Sequence, residues 1–145
     1  MKIKNAPQIE RGPFPYDKNI EFRDSTFFKT HDTLPTPANV RRVASQSTNP
    51  MAQIPTRPPP VLFPDQGLIV KYGTEITIAE GQCLLYIRKA LRDVPVPELF
   101  AWRKDDGQVF LYMELIEGIT LEKKWETMGE EDKTLGIQWT YRRIY

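Results

Sequence analysis

Residues 61–80 read VLFPDQGLIVKYGTEITIAE, and residues 99–115 read LFAWRKDDGQVFLYMEL. In the first stretch, Val61-Leu62-Phe63 is a short apolar run closed by the turn cluster Pro64-Asp65-Gln66-Gly67. Leu68 to Tyr72 reads as a second strand, ended by Gly73. Thr77 and Glu80 then stand three apart, the spacing of a capping box at a helix start. The predicted helix carries Leu84, Ile87 and Leu91 on one face, and Arg88, Lys89 and Arg92 late in its course suit the helix dipole. It must stop before Pro95. Glu98 to Arg103 reads as the next strand, Lys104-Asp105-Asp106-Gly107 as a hairpin turn with a strong Asp-Gly signal, and Gln108 to Leu115 as the return strand. Along that return strand Val109, Leu111, Met113 and Leu115 share one face, while Phe110, Tyr112 and Glu114 share the other. Large apolar groups on both faces predict a sheet partly covered on both sides. Glu117-Gly118 breaks the strand, and Thr120 opens a short helix through Leu121 and Trp125.

The order strand, strand, helix, strand, strand, short helix specifies an α+β class: a small antiparallel sheet with one packed helix. Residues 61–128 are few for a self-sufficient core, because domains of about 60 residues bury only some 60% of their unfolded surface. Something else is expected to cover them. Of 13 prolines, 11 lie at or before Pro64, so residues 1–60 read as a Pro-rich, mostly irregular N-terminal arm. Within it, Asp24 to Thr33 holds the pair Phe27-Phe28, suited to plugging a groove. Thr36-Pro37 is a helix start with Thr at the cap and Pro at the first position. Ser45 to Pro60 is linker-like, with a stiff triple proline. Residues 129–145 do not continue the pattern: Gly136 to Tyr145 carries Trp139, Tyr141 and Tyr145 without a clean period. That segment is expected to be the truncated start of a further lobe or an aberrant tail.

At 145 residues the chain has room for about one domain. Lys and Arg number 20 against 19 Asp and Glu, so no global field draws nucleic acid or an anionic membrane. One cysteine and one histidine cannot form an intramolecular disulfide or a zinc cage. No apolar run approaches the ~20 residues of a membrane helix, and Met1 to Arg11 lacks the apolar core of a secretory signal. A soluble, cytoplasmic protein with no nucleic-acid or membrane partner is expected. His31 reads as a surface or arm-packing residue, Cys83 as a small buried hydrophobe, and Asp105-Asp106 as turn residues rather than a metal site.

Lys71 carries the functional signal. It sits mid-strand among Leu68, Ile69, Val70 and Tyr72, where an ammonium is costly unless it meets water or an anion. Two arrangements fit. In one, Lys71 guards a sheet edge and points to solvent while Glu80 closes its capping box on Thr77. In the other, Glu80 holds Lys71, as kinase-like enzymes hold a strand lysine against the phosphates of ATP.

The segments LIVKYG, TIAEGQCLLYIRKAL, VPVPELFAW and GQVFLYMELIEGITLEKKW, spread over residues 61 to about 133, resemble the N-terminal lobe of the aminoglycoside phosphotransferase family. That family has a protein-kinase-like fold and includes choline and homoserine kinase relatives. The shared features fall in order: a strand lysine, a helix glutamate, Pro95-x-Pro97 before the next strand, and a hairpin running into Met113-x-x-x-x-Gly118. The resemblance implies ATP as cofactor, a nucleotide and a small-molecule acceptor as partners, and Mg²⁺ where a large lobe is present. By it, Lys71 is the phosphate lysine and Glu80 its ion-pair partner. Met113 guards the adenine pocket, and Glu114, Leu115 and Ile116 form the hinge, with the Glu114 carbonyl and Ile116 amide facing the base. Ordinary core packing accounts equally well for Met113. No Gly-rich loop precedes Lys71, and the family's His-Gly-Asp and Asp-x-Asp motifs have no counterpart. Residues 61–128 are therefore expected to be a nucleotide-binding small lobe, inactive as this chain stands. The rival expectation is a non-catalytic scaffold or interaction module, whose Pro55-Thr56-Arg57-Pro58 could serve as an extended ligand.

Overall fold

The computed structural model describes residue 15, residues 17–118 and residues 121–134. The expectations for the first fourteen residues of the arm and for the tail from position 135 onward lie outside them. In chain order the elements are β1 (Ile20–Glu21), α1 (Pro37–Ser45), β2 (Val61–Phe63), β3 (Leu68–Gly73), α2 (Ile78–Ala90), β4 (Leu99–Asp105), β5 (Gln108–Glu114) and α3 (Leu121–Trp125). Residues through Leu115 form one compact unit and those from Ile116 a second. In the second, the Lys133 ammonium lies 5.5 Å from the centre of the Trp125 ring.

All five strands form one antiparallel sheet in the order β1-β4-β5-β3-β2. The two edges are strands of only two and three residues, which offer little template for pairing with another chain. Asp106 and Gly107, with φ of 47° and 73°, turn β4 into β5, the left-handed pair that a two-residue hairpin requires.

Both faces of the sheet are buried, each under a different part of the chain. On one face Leu68, Val70, Tyr72, Phe110 and Tyr112 pack with Phe27, Leu34, Val40 and Ala44. On the other, Leu99, Trp102, Val109 and Leu111 pack with Ile76, and Ile78, Leu84 and Leu85 close over them. A register shift in β4 between Leu99 and Ala101 breaks strict alternation. It lets Phe100 and Ala101 both face the first cluster while Leu99 and Trp102 face the second.

The arm is thus what covers the face of the sheet opposite α2. Ile20 and Glu21 add the edge strand beside β4, and the Trp102 indole N–H donates to the Asp17 carbonyl at 2.7 Å. Phe27, held in a 3-10 turn over Thr26–Lys29, is 3% exposed and stacks on His31 at 4.7 Å. The helix start at Thr36-Pro37 forms as its residues predict, the Thr36 hydroxyl accepting from the Asn39 amide at 3.1 Å. Arg41 on α1 pairs with the Asp105 carboxylate and donates to Gln108 Oε1 at 3.0 Å, tying α1 to the hairpin. The segment expected as a linker is strapped down. The carbonyls of Pro55 and Thr56 accept from the amides of Thr74 and Glu75 at 3.1 and 3.0 Å.

That strap explains Gly73. Its φ is 148°, and a Cβ there would lie 2.1 Å from the Thr56 carbonyl oxygen. Gly73→Ala is expected to cost more than about 2 kcal/mol in urea unfolding, because backbone meets backbone and neither side can yield cheaply. Gly67→Ala, also at positive φ but with open space around it, should cost only about 1 kcal/mol.

Tyr112 offers a second check. Its hydroxyl donates to the Pro35 carbonyl at 2.8 Å, fixing the arm to the sheet. Burial pushes the phenol from 10.0 up to about 12, against the pull of the Arg103 guanidinium. A raised folded-state pKa stabilises the protein fully below the unfolded value, and that stabilisation is lost as pH rises from 10 through about 12. Tyr112→Phe should cost about 1 kcal/mol at neutral pH. The stability gap between the two proteins should narrow as pH climbs through that window.

Candidate functional site

Alternation along β3 sends Leu68, Val70 and Tyr72 to the arm and leaves Ile69 and Lys71 on the face that carries α2. Lys71 lies opposite Leu111 in the sheet, and Ile69 opposite Met113. The helix approaches closely at Gly81, where a Cβ would sit 3.0 Å from Trp102 Cε3 and 3.3 Å from side-chain carbons of Leu111 and Leu99. A side chain there would push these neighbours back by a few tenths of an ångström, so glycine suits the close approach.

The Lys71 ammonium donates to Glu80 Oε1, joining β3 to the first turn of α2. Of the two arrangements the sequence allowed, the structure takes this one. The capping box does not form: Thr77 occupies the N-cap without a side-chain hydrogen bond, and the Glu80 carboxylate turns to the lysine. The reason is competitive. A carboxylate at the third helical position can satisfy one backbone amide or a cation on an otherwise apolar face, and the charged pair forms the stronger hydrogen bond.

Exposure decides what this pair is for. The side chains of Lys71 and Glu80 are 28% and 36% exposed. An ion pair this open contributes roughly 0–1 kcal/mol to stability. Lys71 has further donors than the one Glu80 receives, on a side chain that is only partly buried.

The remaining predicted site residues are placed as follows. Met113 is half-buried and packs against the α2-side cluster, so the adenine-guarding and core-filling readings put it in the same place. The Glu114 amide donates to the Glu98 carbonyl at 2.8 Å, and its carboxylate accepts from the Glu98 amide at 3.1 Å. The Leu115 amide is taken by the Gly67 carbonyl at 2.9 Å. Ile116 opens the second unit and is 60% exposed. Lys71 and Glu80 are thus brought into contact, and Met113 shares their face. Glu114 by alternation does not.

Two expectations for α2 are corrected. Of Leu84, Ile87 and Leu91, only Leu84 packs against the sheet, together with Ile78, Gly81 and Leu85, while Ile87 is half-exposed and Leu91, at the C-cap, is 49% exposed. Tight contact at Gly81 turns the helix so that Gly81 and Leu84, rather than Ile87 and Leu91, meet the sheet. For the same reason Cys83, expected inside, is exposed.

One residue of consequence escapes sequence reasoning. The Glu98 carboxylate accepts from the Thr26 amide at 3.1 Å and the Thr26 hydroxyl at 2.6 Å, with the Arg88 guanidinium at 4.0 Å. The Glu98 side chain thus joins the arm to the end of α2, while its backbone pairs with Glu114. Its partner in the arm lies 72 positions away, and no local pattern marks it. Among the described residues no group of three or more His, Cys, Asp or Glu is gathered to hold a metal ion. No helix among them is long and apolar enough to cross a membrane.

A double-mutant cycle of Lys71→Ala and Glu80→Ala is expected to give a coupling below about 1 kcal/mol, shrinking further in high salt. A coupling of several kcal/mol would mark the pair as a structural clasp instead.

No family model, no curated protein and no solved structure matches the chain.

Proposed function

We propose that the sheet and α2 form a nucleotide-binding lobe of the kind found in ATP-dependent small-molecule phosphotransferases, with Lys71 as its phosphate-holding cation. The observation that carries this reading is the Lys71–Glu80 pair itself. A mid-strand lysine, oriented by a helix carboxylate and still open to solvent, is a poor stabiliser and a good anion ligand. The strand order β4-β5-β3-β2, with α2 crossing between β3 and β4, supports the resemblance to a kinase-like small lobe.

ATP would supply the transferable phosphoryl group. Lys71 would hold its phosphates, and Glu80 would keep the ammonium aimed. The donor set fits that role in part. The β2–β3 connection is a tight 3-10 turn, Pro64–Gln66, closed by Gly67 at φ 60°. Such a turn cannot wrap a triphosphate as a Gly-rich loop does, so Lys71 carries the phosphate contact without it. With no counterpart to His-Gly-Asp or Asp-x-Asp in its 145 residues, the function proposed for this chain is nucleotide binding. Phosphoryl transfer to a small-molecule hydroxyl is the activity that the family resemblance implies.

The short β2–β3 turn is also the observation that favours the second reading, a non-catalytic scaffold or interaction module. One experiment separates them. ATP near 100 times its dissociation constant should stabilise the chain by about 2.7 kcal/mol, raising Tm by several degrees, and Lys71→Ala should abolish the rise. No shift with the wild-type chain would sink the nucleotide reading and leave the scaffold.

A further inference from the structure

A cavity opens away from Lys71. It lies at the tip of the β4–β5 hairpin, beside the connection from β3 to α2, and has a volume of about 540 Å³. That is the size of a small-molecule site. Neither Lys71 nor any residue of the proposed hinge lines it.

Its lining sorts into an apolar floor and a cationic rim. Ile76, Ile78 and Val109 supply the floor. Ile76 and Val109 are 2% and 8% exposed, so they are fixed in the core below. Lys18 and Lys104 bring two ammonium groups, and among the described residues neither is in an ion pair. Thr74 and Thr77 add hydroxyls, and that of Thr77 does no capping work on α2.

The other polar groups around the cavity are already committed, with one exception. The Asp105 carboxylate is neutralised by Arg41. Gln108 accepts from Arg41 through Oε1 and donates to the Pro55 carbonyl through Nε2, both at 3.0 Å. The exception is Asp106, a carboxylate on the exposed turn. Two ammoniums against that one carboxylate leave the cavity cationic over an apolar floor.

We propose that this cavity is a ligand site for a small phosphate monoester with an apolar body. The body would rest on Ile76, Ile78 and Val109. The phosphate dianion would lie between Lys18 and Lys104, with Thr74 and Thr77 donating to its oxygens. The site is independent of the nucleotide-binding reading, which rests on Lys71.

The test is an amide NMR titration of the full chain with phenyl phosphate at low salt, with benzyl alcohol as the neutral control. The expected result is saturating shifts at residues 74–78 and 104–109, and none with benzyl alcohol. The double variant Lys18→Gln/Lys104→Gln should raise the midpoint concentration about tenfold or more. Both lysines are exposed, so the variant is expected to fold, as its unshifted spectrum elsewhere would show. Lys71→Ala should leave the midpoint unchanged. Absence of saturating shifts at the cavity would overturn the proposal. So would shifts indifferent to the double variant, or shifts lost in Lys71→Ala, which would assign the phosphate to the nucleotide site. Failure of ATP to stabilise the chain bears on Lys71 alone.

Discussion

The central strand β5 buries side chains on both of its faces. Phe110 and Tyr112 point one way from β5 and Val109 and Leu111 the other, and all four are 8% exposed or less. A sheet of this composition must be covered twice, at roughly 25 cal/mol for each square ångström of apolar surface removed from water. One cover is α2, the crossover between β3 and β4. The other is the Pro-rich arm, which contributes Phe27, Leu34, Val40 and Ala44. The two clusters together make a core that residues 61–128 alone could not complete.

The arm does this with little regular structure. Its grip comes from a few apolar anchors and from side-chain hydrogen bonds and ion pairs to the sheet: Arg41 to Asp105 and Gln108, Thr26 to Glu98, and the Tyr112 hydroxyl to the Pro35 carbonyl. Prolines suit such a cover. They lose little conformational entropy on ordering, and their missing amide leaves no donor to satisfy over an apolar surface. Pro58 is buried, and the carbonyl of Pro55 accepts from both Thr74 and Gln108.

Against this apolar background the charges are informative. Lys71 meets Glu80 on the α2 face, and Lys18 and Lys104 stand at the rim of the hairpin cavity. These are two separate cationic positions, one oriented by a carboxylate and one without such a partner among the described residues. The first is legible from spacing, because Lys71 is anomalous in its strand and Glu80 starts the next helix. The second joins residues from the arm, the β3–α2 connection and the hairpin, and no spacing links them.

Much of the fold was written locally. The alternation of Gln108 to Glu114, the Asp106-Gly107 turn, the Thr36-Pro37 helix start and the Val61-Leu62-Phe63 run each act within a few residues, and each element forms where its residues call for it. What local patterns could not say is which faces meet. The choice of Glu80 between Thr77 and Lys71, the turn of α2 onto Gly81 with Cys83 outward, and the register shift that turns Phe100 toward the arm were decided in three dimensions. The sequence by itself determined the strands, the turns and the need for cover on both faces, because backbone preference and side-chain period are short-range. Only the tertiary structure decided that the arm supplies that cover and that Glu98 binds Thr26 across 72 positions. Packing of this kind depends on shape and charge between segments that are neighbours in space and strangers in sequence.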